Sequence, residues 1–191
     1  DESIETIVKW LKNHQFFTPK SMGYLPNVFG GISLAMFVLS YLSFIPNSLI
    51  IIWFFVGLTI TGIYIKKINT LYLYANKAKE TFKQYHQLLA FIENETFTSE
   101  LLKQKQAEIK TENKKASQIF LQLSKILDAF DQRNNMIIGV FANSFALRDL
   151  NHCYRIEKWI DTYLEKYHNW FEVIAFFDVK NSLVNFQFNH P

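Results

Sequence analysis

The residues best suited to metal binding or covalent chemistry are few and widely spaced. The chain has five histidines and one cysteine, and none of them stands in an H-x-x-x-H or C-x-x-C pattern typical of metal sites. His152 and Cys153 are neighbours, so a helix would direct them to different faces. No serine or cysteine has an identifiable base near it in the sequence. We therefore expect no catalytic residue and no metal site.

Nucleotide-binding motifs are also missing from the sequence. No G-x-x-x-x-G-K-S/T segment is present, so the chain lacks the loop that holds phosphates in P-loop ATPases. No G-x-G-x-x-G segment is present either, and the adjacent Gly30 and Gly31 lie in an apolar stretch. The sequence predicts a segment that has no enzymatic activity and binds no cofactor of its own.

One basic stretch suggests a contact with nucleic acid. Its lysines are Lys103, Lys105, Lys110, Lys114 and Lys115. A lysine-rich helix can bind the phosphates of DNA. Glu108 and Glu112 lie within the stretch, and the net charge of the chain is only +3, which favours an ordinary solvated helix surface. DNA contact through these lysines is the alternative hypothesis.

Charged residues in the second half of the chain are interpreted as joints between helices. Arg133 can bridge carboxylates of neighbouring helices, with Asp131 and Asp149 or Glu157 as candidate partners. Trp159 would anchor a contact between helices. Breaking a buried ion pair costs about 3–5 kcal/mol, whereas an exposed pair contributes about 0–1 kcal/mol. The sequence leaves both alternatives open.

Composition indicates which elements hold these residues. The chain has 191 residues, of which 49% are hydrophobic, and it contains 19 Phe. Its six Gly and four Pro are few for the frequent turns of an all-β fold. We therefore predict an all-α fold, a bundle of long helices with an apolar helical hairpin. The single cysteine excludes an internal disulfide.

The apolar hairpin is predicted from a segment without charged residues, Val28 to Ile65. A turn signal, Pro46-Asn47-Ser48, divides it into two helical arms, 28–45 and 49–65. Both arms are apolar on every face, as expected for contact with lipid or for complete burial. Their lengths are short but sufficient for a bilayer core of about 30 Å.

Basic residues flank the hairpin on both sides. Lys9, Lys12 and Lys20 precede it, and Lys66 and Lys67 follow it. Because such lysines stay on the cytoplasmic side, the pattern favours a transmembrane hairpin with both ends in the cytoplasm. We expect a location at the cytoplasmic face of the inner membrane. The alternative is a cytoplasmic protein in which the hairpin is the buried centre of a soluble bundle.

Helical patterns dominate the rest of the chain. Residues 1–27 contain a short helix and a linker, and residues 66–191 form a helical core segment. Within this segment we predict helices over 69–94, after the N-cap Ser99, over 116–130, over 136–167 and over 170–183. The helix over 116–130 has the best amphipathic stripe, and 136–167 has a broad apolar face that includes Val140 and Phe141. Residues 184–188 alternate and are compatible with a short strand.

Short motifs in the second half of the chain follow a recognisable order. They are Tyr85–Phe97, Ala116–Ile119, Asp131-Gln132-Arg133-Asn134, Arg148-Asp149-Leu150, Glu157-Lys158-Trp159, Asp178 with Ser182, and Phe188-Asn189-His190-Pro191. In this order they resemble the helical core or lever segment that precedes the ATPase domain in MutS-related DNA mismatch repair proteins. The likeness is greatest to a membrane-linked MutS-like group in which a hydrophobic hairpin interrupts the helical core.

The resemblance implies a function for a longer parent protein. Such a parent would be a homodimeric, DNA-dependent ATPase that binds ATP and Mg, and this segment would link its DNA-contacting and ATPase parts. Both ends of the chain look like cuts, with the ATPase sequence beginning beyond Pro191. We expect a non-catalytic lever segment tethered to the membrane. The alternatives are a DNA clamp that uses a Lys103–Lys115 helix and a membrane scaffold unrelated to DNA.

Overall fold

A computed structural model describes residues 4–111, 114–163 and 165–189, with the backbone alone described for Asn134 and for residues 179–189. These residues form eight α-helices and no strand, so the all-α prediction is confirmed. The helices are α1 (Ile4–Asn13), α2 (Leu25–Tyr41), α3 (Ser48–Asn94), α4 (Glu100–Glu108), α5 (Ala116–Asp131), α6 (Met136–Ala146), α7 (Arg148–Tyr163) and α8 (Tyr167–Asn189). Short 3₁₀ helices occupy Lys20–Gly23 and Gln132–Asn134.

The chain divides into two compact units. The first unit comprises Asp1–His14, Lys77–Lys125 and Ile160–Pro191, and the second comprises Gln15–Asn76 and Ile126–Trp159. The boundaries fall inside α3, α5 and α7, so each of these helices contributes residues to both units. The three segments expected from the sequence, 1–27, 28–65 and 66–191, stay a prediction.

The longest helix, α3, covers two segments that were predicted as separate helices. It runs without interruption over 47 residues, which corresponds to about 70 Å at 1.5 Å per residue. The predicted boundary between an arm ending at Ile65 and a helix starting at Asn69 is wrong. Neither Gly nor Pro stands between these positions, so nothing in the local chemistry breaks the helix where its surface changes from apolar to polar.

Aromatic rings fill the core of the first unit. Phe82, Phe120 and Phe171 are buried, with ring centroids 5.5 Å apart for Phe82 and Phe120 and 5.6 Å apart for Phe120 and Phe171. Trp170 lies 5.8 Å from Phe120. Helix α1 packs on α8 and buries Leu11. The core therefore brings together helices from the start, the middle and the end of the chain.

The predicted stripe on α5 is confirmed as core. All of its members are buried: Ala116, Ile119, Phe120, Leu123, Ile126, Leu127 and Phe130. Their helical spacing places them on one face. At the start of α5, the Glu93 carboxylate accepts hydrogen bonds from the Ser117 backbone N–H, at 3.1 Å, and from the Ser117 hydroxyl. A side chain of α3 thus supplies the cap that α5 needs at its N-terminus.

Two predicted elements in the second half differ from the structure. The helix predicted over 136–167 is divided at Leu147, whose φ of 48° is left-handed and ends α6. A left-handed residue interrupts the helical hydrogen-bond ladder, and α7 begins at Arg148. The strand suggested for 184–188 lies within the helical backbone of α8. A strand requires a pairing partner, and the described part of the chain supplies none.

Candidate membrane interface

The charge-free segment forms a helical hairpin, as predicted. Helix α2 ends at Tyr41, residues 42–47 make the turn, and α3 begins at Ser48. The first arm therefore ends earlier than the predicted boundary at 45. The Ser40 hydroxyl donates a hydrogen bond to the Asn47 side-chain oxygen, which closes the turn. Polar groups at the tip of the hairpin thus bond to each other.

The outward faces of the hairpin are apolar and exposed. Leu34 is 67% exposed, Ile51 59% and Ile63 74%. In the most apolar window of 18 residues in α3, 11% is buried. Helix α3 is also long and apolar enough to cross a membrane. The alternative of a buried hairpin requires other helices to enclose it, and the described helices do not.

The inward faces of the two arms pack through an aromatic pair and a polar contact. Phe29 of α2 stacks on Trp53 of α3 with ring centroids 4.2 Å apart. The Trp53 indole N–H donates to the Ser33 hydroxyl at 2.8 Å, and this hydroxyl lies 2.7 Å from the Phe145 carbonyl oxygen. The polar atoms of the contact are bonded within the protein, which an apolar environment requires.

Helix α6 packs against the hairpin, a contact that the sequence analysis did not predict. Phe141 and Phe145 of α6 lie 5.8 Å and 5.7 Å from Phe54 of α3. Gly57 and Ser144 approach so closely that a Cβ added at Gly57 would lie 2.0 Å from the Ser144 carbonyl oxygen. The absence of a side chain at Gly57 is therefore what allows the two helices to touch.

The apolar face predicted over 136–167 is not a single buried face. Leu147 and Leu150 are buried, whereas Val140 and Phe141 are exposed. A signal for this difference exists in the sequence, because no charged residue stands between Arg133 and Arg148. That second charge-free segment is too short to suggest a membrane span.

Arg133 lies at the centre of a buried polar contact in the second unit. Its Nε is 3.1 Å from Oδ2 of Asp149, and the two side chains are 15% and 3% exposed. Its Nη2 donates to the Asn69 side-chain oxygen at 2.9 Å. The guanidinium also lies over the Tyr72 ring, 4.9 Å from its centroid. Of the two alternatives left open by the sequence, the structure shows the buried pair, with Asp149 as the carboxylate.

The other candidate partners of Arg133 hold different groups. The Tyr72 hydroxyl donates to Asp131 at 2.7 Å. Glu157, which is buried, accepts hydrogen bonds from the backbone N–H groups of Phe17 and Thr18 at 3.0 Å each, and from the Thr18 hydroxyl. Glu157 thus ties the segment before α2 to α7. Sequence reasoning missed this role because backbone donors carry no sequence signal.

The remaining motif residues are spread over both units. Trp159 is buried in α7, as its predicted role requires. Asp178 is exposed on α8, and burial of Tyr85 together with the Asp178 charge raises the pKa of Tyr85 to about 12. The backbones of Asn134, Ser182 and Asn189 are helical, while His190 and Pro191 lie outside the described residues. The described motif residues contribute packing and hydrogen bonds in both units.

Two potentially reactive groups of α7 are buried in the second unit. Burial, with smaller contributions from Arg148 and Arg155, lowers the pKa of His152 to about 4, so this side chain is neutral at pH 7. Burial first, then the Asp149 carboxylate, raises the pKa of the Cys153 thiol, which therefore stays protonated and unreactive. In the part of the chain that the structure describes, no group of three or more His, Cys, Asp or Glu is arranged to hold a metal ion.

The five lysines of the alternative DNA-contact hypothesis do not all lie on one helix. Helix α4 ends at Glu108, so the predicted Lys103–Lys115 helix is wrong, and Lys110 and Lys114 lie beyond its end. Polar partners of the other lysines are Glu100 for Lys103 at 2.7 Å, Glu108 for Lys105 at 2.9 Å and Asn94 for Lys115 at 3.0 Å.

Comparisons of this chain with protein-family models, with curated proteins and with solved structures each found no match.

Proposed function

We propose that this chain is a membrane-anchored, non-catalytic helical segment of a MutS-like ATPase. In this proposal α2 and the first part of α3 cross the inner membrane as a hairpin. The remaining helices lie on the cytoplasmic side and link DNA-contacting parts of the protein to its ATPase part. The parent would supply the sites for ATP, Mg and DNA and would be a homodimer.

The observation that carries the membrane part is the exposed apolar surface of the hairpin. Apolar patches on soluble monomers rarely exceed a few hundred Å², whereas the outward faces of α2 and of the first part of α3 are exposed, and neither segment carries a charge. Lys66 and Lys67 are exposed directly after this surface. A lipid environment accounts for both the exposed apolar faces and the bonded polar contacts between the arms.

The MutS-like part is supported by the order of the motifs and by what their residues do. Arg133, Asp149 and Glu157 form contacts between segments that are far apart in the sequence. Such contacts hold helices in register, which is what a lever segment needs. The continuous helix α3 likewise suits the transmission of movement.

A second candidate function is a membrane scaffold unrelated to DNA. It is favoured by the acidic partners of Lys103 and Lys105, which reduce the positive charge that α4 offers to phosphates. Reading the parent gene beyond the codon for Pro191 separates the two candidates. A P-loop motif there supports the ATPase proposal, and a completed parent sequence without a P-loop contradicts it.

The membrane part is tested by carbonate extraction of membranes from cells that produce the chain. Wild type should stay in the membrane pellet. Phe55→Lys combined with Val56→Lys, both at exposed positions beside the midpoint of the arm, should release it into the soluble fraction, because each lysine near the centre of a bilayer costs about 2.5–3.5 kcal/mol. Leu101→Lys is the matched control, since Leu101 is an exposed apolar residue of α4 in the first unit. Release of wild type by carbonate would contradict the proposal.

A further inference from the structure

We propose that α6 is a third lipid-contacting element, which lies in the leaflet on the Lys66–Lys67 side of the hairpin and contacts acyl chains with its outer face. This inference rests on the proposed membrane anchor and adds a surface to it. The sequence contains only one hairpin long enough to suggest membrane contact, so α6 would enlarge the anchor without crossing the bilayer.

The contacts of α6 place it beside the basic end of α3. Arg133, just before α6, bonds to Asn69, and Ser144, near the end of α6, touches Gly57. Asn69 and Gly57 are separated by about 18 Å along α3, and α6 itself is about 16 Å long. Helix α6 therefore runs antiparallel to α3, from just beyond the level of Lys66 and Lys67 towards the middle of the hairpin.

The outer face of α6 is apolar and its polar residues are buried, which is the reverse of the arrangement on a surface helix of a water-soluble protein. Its outer residues are apolar and largely exposed: Met136 80%, Ile137 71%, Ile138 53% and Phe141 55%. Its polar residues Asn143 and Ser144 are buried. The Asn143 side-chain oxygen accepts the backbone N–H of Asp149 at 2.8 Å, and the Ser144 hydroxyl donates to the Val140 carbonyl oxygen at 2.7 Å. Polar groups inside and apolar groups outside fit a lipid environment.

Lipid is the occupant that continues the surface already described. The outer face of α6 adjoins the exposed hairpin through Phe54 and Phe141, and Phe37 of α2 lies 4.9 Å from Phe145. A bilayer that surrounds the hairpin would therefore meet α6 as well. Because α6 is shorter than the roughly 20 residues needed for a span, it can occupy one leaflet only.

The residues on either side of α6 bond to each other and hold its ends. Arg133 pairs with Asp149 at 3.1 Å, and Arg148 donates to the Gln132 side-chain oxygen at 2.9 Å. These charged groups lie immediately before and after the apolar helix. Helix α6 is thus an apolar helix between two flanking segments that are joined by polar contacts, as expected for an element that enters and leaves the membrane on the same side.

Fluorescence quenching by lipids can test this placement in the full chain. Three variants with one added cysteine each, Ile137→Cys in α6, Ile52→Cys in the hairpin and Leu101→Cys in α4, are labelled with bimane. They are reconstituted in phosphatidylcholine and phosphatidylglycerol vesicles that carry a nitroxide on the acyl chain near the headgroup. The buried Cys153 has a raised pKa and should react little, so unmodified protein serves as the labelling control.

We expect I137C and I52C each to lose several-fold more fluorescence than L101C. Quenching of I52C without quenching of I137C would overturn the inference and leave the membrane anchor intact. Quenching of I137C without I52C would support lipid contact by α6 and contradict the hairpin anchor. Quenching of neither would overturn both.

Discussion

The two units differ in where they place their phenylalanine side chains. In the first unit Phe82, Phe120 and Phe171 are buried against one another. In the second unit Phe37 and Phe55 stay 43% and 59% exposed on the hairpin. The first arrangement removes aromatic surface from the solvent, and the second presents it outward. Apolar content alone therefore does not distinguish a buried core from an exposed apolar face.

Polar side chains have a similar task in both units. Glu93 caps the start of α5 in the first unit, and Glu157 binds the backbone of Phe17 and Thr18 in the second. Each carboxylate satisfies donors that a helix or turn leaves without partners. The units thus differ in the apolar surface that they expose, and they resemble each other in how their segments are tied together.

The largest loss of stability should come from replacing a buried phenylalanine of the first unit by alanine. The same substitution at an exposed phenylalanine of the second unit is the comparison. Phe120→Ala removes a buried ring that contacts Phe82, Phe171 and Trp170 and should lower the free energy of unfolding by about 3–5 kcal/mol. Phe55→Ala, at an exposed position, should change it by less than about 1 kcal/mol. Urea unfolding in detergent micelles, followed by circular dichroism, measures both. Equal losses would contradict the contrast between the units.

An effect of similar size should follow from breaking the buried ion pair. Arg133→Ala leaves the Asp149 carboxylate buried without its cation and should cost about 3–5 kcal/mol. Lys103→Ala is the control, because its pair with Glu100 is exposed at 50% and 88% and is worth about 0–1 kcal/mol. The melting temperatures of the two variants report the difference. A wild-type melting curve for Arg133→Ala would remove the proposed role of the pair.

Acid should weaken the fold through His152. In the unfolded chain this side chain takes up a proton below its ordinary pKa of 6.5, but in the folded chain only near 4. Between these values the unfolded state binds more protons, so stability falls as the pH falls, by up to about 3 kcal/mol. His152→Gln should flatten this slope in unfolding measurements. An unaltered slope in His152→Gln would disprove the assignment.

The smallest effects concern two glycines of α3. Gly57→Ala places a Cβ against the Ser144 carbonyl oxygen and should cost about 1–3 kcal/mol, since backbone must move to admit it. Gly62→Ala meets nothing within 4 Å and should stabilise the helix by up to about 1 kcal/mol. Unfolding of both variants under the same conditions gives the signs. A stabilising Gly57→Ala would contradict the close approach of α3 and α6.

Elements with a strong periodic pattern were predictable from the sequence. The stripe on α5 and the two-armed hairpin follow from residue spacing and from the absence of charge. Asp149 was among the predicted partners of Arg133, because a charged residue in mostly apolar surroundings needs a counter-charge. In these cases the decisive interactions involve side chains whose types are visible in the sequence.

Features that depend on tertiary contacts were not predictable in the same way. Helix α3 continues past Ile65 because no Gly or Pro interrupts it there, although its surface changes from apolar to polar. The role of Glu157 depends on backbone donors, which every residue has. The exposed face of α6 resembles a core face in sequence, because an apolar residue has the same pattern whether protein or lipid covers it.

Flotation of the purified full chain with phospholipid vesicles in a density gradient at high salt tests the membrane anchor most directly. High salt screens the attraction of lysines to anionic lipids, so flotation then reports apolar insertion. We predict that the chain rises with the vesicles. A chain that stays in the dense fractions as a soluble, monodisperse protein would contradict the claim that lipid covers the exposed surface of the second unit.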